Sequence, residues 1–114
     1  MNILIIKLGA IGDVIRTTAI LHGLKEKFKG CRIEWAVKRL SFDVLKNNRL
    51  IDKLHVLDND ALNKLKNKKY DLVISLDDEY EACELAAKVN SKKIIIDYLK
   101  NSQRAYTKYS SLLF

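Results

Sequence analysis

Four consecutive apolar residues, Ile3, Leu4, Ile5 and Ile6, run almost directly into a glycine-bearing turn, Gly9-Ala10-Ile11-Gly12-Asp13. So short an unbroken apolar run fits a strand covered on both faces of a parallel sheet. Gly9 and Gly12 carry no Cβ, which predicts a sharp backbone turn that a ligand can approach closely. Asp13 then opens a helix, either as its cap or facing its positive end. Val14, Ile15, Leu21, Leu24 and Phe28 follow at helical spacing and predict one helix with one buried stripe. Ligands of open α/β sheets sit beyond the carboxyl ends of the strands, so this first loop belongs at a cleft.

The rest of the chain repeats the alternation. Gly30 ends the first helical segment, and Ile33, Trp35 and Val37 share one face of a second strand. Ser41 is placed to cap a short helix carrying Phe42, Val44 and Leu45. Residues 53–57 predict an edge strand, and Asp58 or Asp60 starts a helix with Ala61, Leu62 and Leu65. Continuous apolar strands follow at residues 72–76 and 93–96, separated by a helix through Ala82, Leu85, Ala86 and Val89. Strands alternating with helices imply βαβ units. The expected fold is α/β: a Rossmann-like three-layer α/β/α domain with a parallel sheet in the order 3-2-1-4-5.

Known phosphate loops do not account for the turn. Lys7 stands where the dinucleotide fingerprint needs its first glycine, and no Lys-Ser or Lys-Thr follows Gly12 as a P-loop requires. From spacing alone, Gly-x-x-Gly-Asp fits strand-to-helix geometry as well as a ligand site. The 114 residues suit one domain, and 48% hydrophobic with 31% charged residues describes a globular chain. No apolar run approaches the ~20 residues that span a bilayer. Cys31 and Cys83 have no metal-type spacing and are too few for a disulfide framework. The N-terminus reads as a strand rather than a signal peptide, so a cytoplasmic location is expected. The net charge of +7 points to an anionic partner, yet the lysines are spread along the chain and aromatics do not interleave with them. That pattern disfavours nucleic acid.

The longer string Ile-Ile-Lys-Leu-Gly-Ala-Ile-Gly-Asp-Val-Ile-Arg-Thr-Thr, then Ala-Ile-Leu and Leu24-Lys25-Glu26-Lys27-Phe28, resembles the start of the heptosyltransferases of glycosyltransferase family 9. The match runs on through Ile33-Glu34-Trp35-Ala36-Val37, Asn47-Asn48, Ile51-Asp52 and Tyr70-Asp71-Leu72-Val73-Ile74. Members commonly carry proline where this chain has Ala19, a change expected inside the helix. The resemblance implies the N-terminal, acceptor-side half of a two-domain GT-B enzyme, with the donor-binding C-terminal domain absent from residues 1–114. Apolar residues 94–96 with little after them, and the apolar end Leu112-Leu113-Phe114, carry the same expectation of a truncated domain. The implied reaction is inverting transfer of heptose from an ADP-heptose-like nucleotide-sugar donor to a lipopolysaccharide-core or related anionic glycolipid acceptor, at the inner face of the cytoplasmic membrane. The resemblance implies no cofactor and no metal. A self-standing Rossmann-like binding module without catalysis is the alternative.

By the same resemblance Asp13 is the catalytic base, where a plain helix terminus is the other account. Lys7, Gly9, Ala10, Ile11, Gly12, Arg16 and Thr17 would line the donor and acceptor, the loop amides stabilising developing negative charge. Lys7 equally suits a salt bridge within the cleft, and Thr17 or Thr18 a cap or a packing role. Lys38 and Arg39 follow the second strand, where a solvated loop fits as well as an anionic acceptor. Asp77, Asp78, Glu79, Glu81 and Glu84 form an acidic cluster where many family members have Asp-x-Gln-Gly; acids near a helix N-terminus explain it better than a metal. His22, on a helix, and His55, in an edge strand, have no partner at ligand spacing and are expected at surface or boundary positions. Residues 63–69, with four lysines, are expected to form a solvated helix end. Tyr98, Tyr106 and Tyr109, around Arg104, fall in a segment that resembles an acceptor-side lining, though packing explains them too.

Overall fold

The computed structural model describes residues 1–77, 80–100 and 103–106. Strands β1 (Asn2–Ile6), β2 (Arg32–Val37), β3 (Lys53–Val56), β4 (Lys69–Ser75) and β5 (Asn90–Lys100) form a parallel sheet in the order β3-β2-β1-β4-β5, as expected. Helices α1 (Ile11–Thr17), α2 (Ile20–Lys27) and α3 (Arg39–Leu45) cover one face. There Ile3, Ile5, Ile33, Trp35, Val37, Leu72 and Ile74 pack against Val14, Leu21, Leu24 and Leu45. Helices α4 (Asn59–Lys66) and α5 (Tyr80–Lys88) cover the other, where Leu4, Ile6 and Val73 meet Leu65, Ala82, Leu85 and Ala86. The period of two in β1 thus divides its side chains between two cores, which is why the run carries no polar residue.

A sixth strand stands where little was expected to extend the sheet. β6 (Gln103–Tyr106) pairs antiparallel with residues 97–100, the part of β5 that runs on past β4. Tyr98, Arg104 and Tyr106 fall on these two strands; Tyr109 lies outside the described residues.

The predicted single helix is two. The amides of Thr18, Ala19 and Leu21 donate to carbonyls three residues back, Ile15, Arg16 and Thr18, tightening the chain between α1 and α2. The hydroxyls of Thr17 and Thr18 donate to the Asp13 and Ile15 carbonyls at 2.7 and 2.6 Å, competing with the helical ladder there. Ile15, one residue on from Val14 within α1 and so about 100° around the helix from it, lies off the expected stripe and is 50% exposed. Ala19 therefore stands at the junction rather than inside a helix. Ser41 does not cap α3 either: Lys38 does, and Ser41 is buried within the helix.

Gly30 is the glycine whose backbone needs it. At φ 78° it completes a turn in which the Cys31 amide donates to the Phe28 carbonyl at 3.0 Å, carrying α2 into β2. Open space surrounds the position where a Cβ would stand. Gly30→Ala is therefore expected to lower stability by about 1–2 kcal/mol through backbone strain alone, read as a shift of the urea midpoint with an unchanged slope.

His55 corrects the expectation of a surface or boundary residue. It is buried, and its Nε2 lies 2.6 Å from Oε1 of Glu34, itself 4% exposed on β2. The same oxygen accepts from the Tyr70 hydroxyl at 3.0 Å and from Lys68 Nζ at 3.2 Å, so Lys68 does more than solvate a helix end. Arg32 Nε lies 3.5 Å from the other oxygen. Burial alone would raise the Glu34 carboxyl; the hydrogen bonds from His55, Tyr70 and Lys68, with the Lys68 charge, outweigh it and hold it at about 2. Burial, then the Glu34 charge, pushes the Tyr70 hydroxyl above its ordinary range.

Candidate functional site

β1 lies between β2 and β4, and the chain fills the sheet outward from it in both directions. The carboxyl ends of β1 and β4 therefore meet where the strand order reverses, the place at which open α/β sheets form a crevice. The loop after β1 and the residues after β4 leave the sheet side by side there, tied strand to strand. Leu76 N–H continues the ladder to the Ile6 carbonyl at 3.0 Å, and Lys7 Nζ donates to the Leu76 carbonyl at 2.8 Å. Leu8 N–H donates to Oδ2 of Asp77 at 2.8 Å.

The loop delivers the chain to α1. Ala10 is extended, at φ −60° and ψ 150°, and its carbonyl accepts from Val14 N–H at 3.0 Å, opening the helix. No side chain caps α1. This corrects the expected bend at Gly12 and decides between the two places open to Asp13. Gly12 lies within the helix rather than at a bend, with no atom within 4 Å of where its Cβ would stand. Asp13 is the third helical residue rather than the cap, in the first turn where the helix dipole favours negative charge.

Asp13 is exposed. Its carboxylate lies 3.6 Å from the Arg16 guanidinium, one turn on, with side-chain exposures of 55% and 82%. An ion pair so open to water contributes little to stability and leaves the carboxylate accessible. Lys7 is half-buried beside Gly9, its Nζ 3.8 Å from where a Gly9 Cβ would stand. Gly9, Ala10 and Ile11 form the path between Lys7 and the helix, so the sequence-predicted set from Lys7 to Thr17 is one continuous strand-end, loop and helix head. Thr17 directs its hydroxyl proton to the Asp13 carbonyl, within the helix. Arg39 is exposed at the start of α3, and His22 is exposed on α2.

Asp77 departs from its expected place among helix-terminal acids. It precedes α5 and is buried, 4% exposed, against the β1 loop. No sequence signal points to that role, because the partner amide is 69 residues away. Glu84 pairs with Lys88 one turn along α5; Asp78 and Glu79 lie outside the described residues. Among the described residues, no three His, Cys, Asp or Glu side chains gather as metal ligands.

No family model matches the chain. Over 69 residues, 60% of the chain, it is 41% identical to lipopolysaccharide heptosyltransferase 1 of Campylobacter coli, of which it spans 18%. Its fold is similar to the glycosyl transferase family 9 structure from Veillonella parvula, with a TM-score of 0.73 and 27% identity over 82% of this chain and 30% of that one. The fold of the Escherichia coli heptosyltransferase WaaC with ADP gives the same TM-score, at 20% identity over 82% of this chain and 33% of that one. In sequence and fold, then, this chain is similar to part of a family 9 heptosyltransferase.

Proposed function

We propose, from this likeness to family 9 heptosyltransferases, that the chain is the acceptor-side, N-terminal part of an inverting GT-B glycosyltransferase. It would move heptose from an ADP-heptose-like donor to a lipopolysaccharide-core or related anionic acceptor. The observation that carries the reading is Asp13 itself: an accessible carboxylate in the first turn of the helix that follows the central strand. The acceptor hydroxyl attacks the anomeric carbon of the heptose while the bond to the diphosphate oxygen breaks. The nucleotide diphosphate leaves with that electron pair, and Asp13 takes the hydroxyl proton. Attack opposite the leaving group inverts the centre. Lys7 and Arg16 supply positive charge near the anionic reactants. Donor binding falls mainly to a further domain, in keeping with a chain that spans about a third of the solved relatives' length. The net charge of +7 supports peripheral contact with an anionic membrane face, and among the described residues no helix is long and apolar enough to cross one.

The full-length polypeptide, supplied with ADP-heptose and a heptose-free core acceptor, is expected to release ADP and form the glycosylated product. Residues 1–114 alone are expected to do neither. A full-length protein that neither binds ADP nor consumes the donor, while folding normally, supports the non-catalytic binding module instead.

A further inference from the structure

We propose that Asp77 is a positioning residue, its buried carboxylate clasping the loop after β1 through the Leu8 amide and so fixing where Lys7 and Asp13 stand. The inference rests on the reaction proposed above and adds to it a residue from the far side of the crevice. Leu8 and Asp77 are both nearly inaccessible, 1% and 4% exposed, and their bond joins two loops that leave neighbouring strands. An N–H to carboxylate bond is about twice as strong as a neutral one.

The geometry transmits the constraint. Two residues beyond Leu8, the Ala10 carbonyl starts α1, and three residues further stands Asp13. The Asp77 Oδ2 also lies 3.4 Å from where a Gly9 Cβ would be, so a side chain at that point of the loop would meet the carboxylate. Just before Leu8, Lys7 Nζ is held on the Leu76 carbonyl, the residue preceding Asp77. Two successive residues of one loop are thus bound to two successive residues of the other. Loss of the second bond frees the head of α1 to shift, and a displacement of about 1 Å at a reacting group costs roughly a hundredfold in rate.

The test compares Asp77→Ala and Asp77→Asn in the full-length polypeptide, using ADP-heptose and core acceptor for turnover and hydrogen exchange for the Leu8 amide. Asp77→Ala is expected to speed Leu8 exchange about tenfold or more and to lower kcat roughly ten- to hundredfold, with little change in KM for the donor. Asp77→Asn keeps an oxygen that can accept from Leu8 and is expected to recover most of both. Parental Leu8 exchange and kcat in Asp77→Ala overturn the proposal. So does an Asp77→Asn protein that folds but loses both as fully as alanine, since the charge and not the clasp would then matter; if alanine prevents folding, this arm decides. Failure of the reaction itself shows differently: the parent then lacks turnover, while the Leu8 exchange comparison still reports on the clasp.

Discussion

Asp13→Ala in the full-length polypeptide is expected to lower turnover by about 10²- to 10⁴-fold, the usual contribution of a positioned general base. Folding should be nearly untouched. Asp13 contributes no cap, because Ala10 holds that position with its main chain alone. Its one described side-chain partner, Arg16, is the more exposed of a solvent-open pair, so the loss of stability should stay under about 1 kcal/mol. Asp13→Asn sharpens the result: the amide keeps the shape but cannot take the acceptor's proton, so it should be nearly as slow as alanine. Steady-state kcat beside a denaturant midpoint separates the two effects. Near-parental turnover in either variant removes Asp13 from the reaction; a large fall in midpoint would return it to a structural role.

The sheet was legible because its strands are written locally. Ile3 to Ile6 and Leu72 to Ile74 are apolar without interruption, the pattern of strands buried on both faces. The candidate site was legible as far as it is contiguous: strand end, glycine loop and acidic helix head follow one another within a dozen residues. What escaped is held by long-range polar contacts. Asp77 reaches Leu8 across 69 positions, and Glu34 reaches His55 and Tyr70 across 21 and 36. Asp77, Glu34 and His55 each carry a polar side chain whose buried partner nothing nearby in sequence announces. The split between α1 and α2 was hidden for a different reason. The apolar spacing through Val14, Leu21 and Leu24 survives the break, so the pattern reads as one continuous helix.

The largest expected loss of stability follows from Glu34→Ala. One oxygen of this carboxylate serves His55, Tyr70 and Lys68 at once, inside the layer between the sheet and its covering helices. Alanine leaves a buried hydroxyl and a buried imidazole without their acceptor and opens space for which no side chain substitutes. Breaking such a buried group costs about 3–5 kcal/mol, a large part of the roughly 5–15 kcal/mol that holds a domain together. The pH dependence gives an independent measure of the same interaction. The carboxyl titrates at about 2 in the folded chain against an ordinary 4.5. Because the folded value is the lower, its contribution is fully present above pH 4.5 and is lost as pH falls towards 2. The difference corresponds to about 3 kcal/mol. Asp52, Asp71 and Glu84 are also held below their ordinary range, so the parent's acid unfolding alone does not isolate Glu34. Glu34→Gln does: it has no proton to gain, so its stability curve should be flatter than the parent's between pH 4.5 and 2. Parallel curves through that window would mean that water, rather than the buried network, solvates the carboxylate.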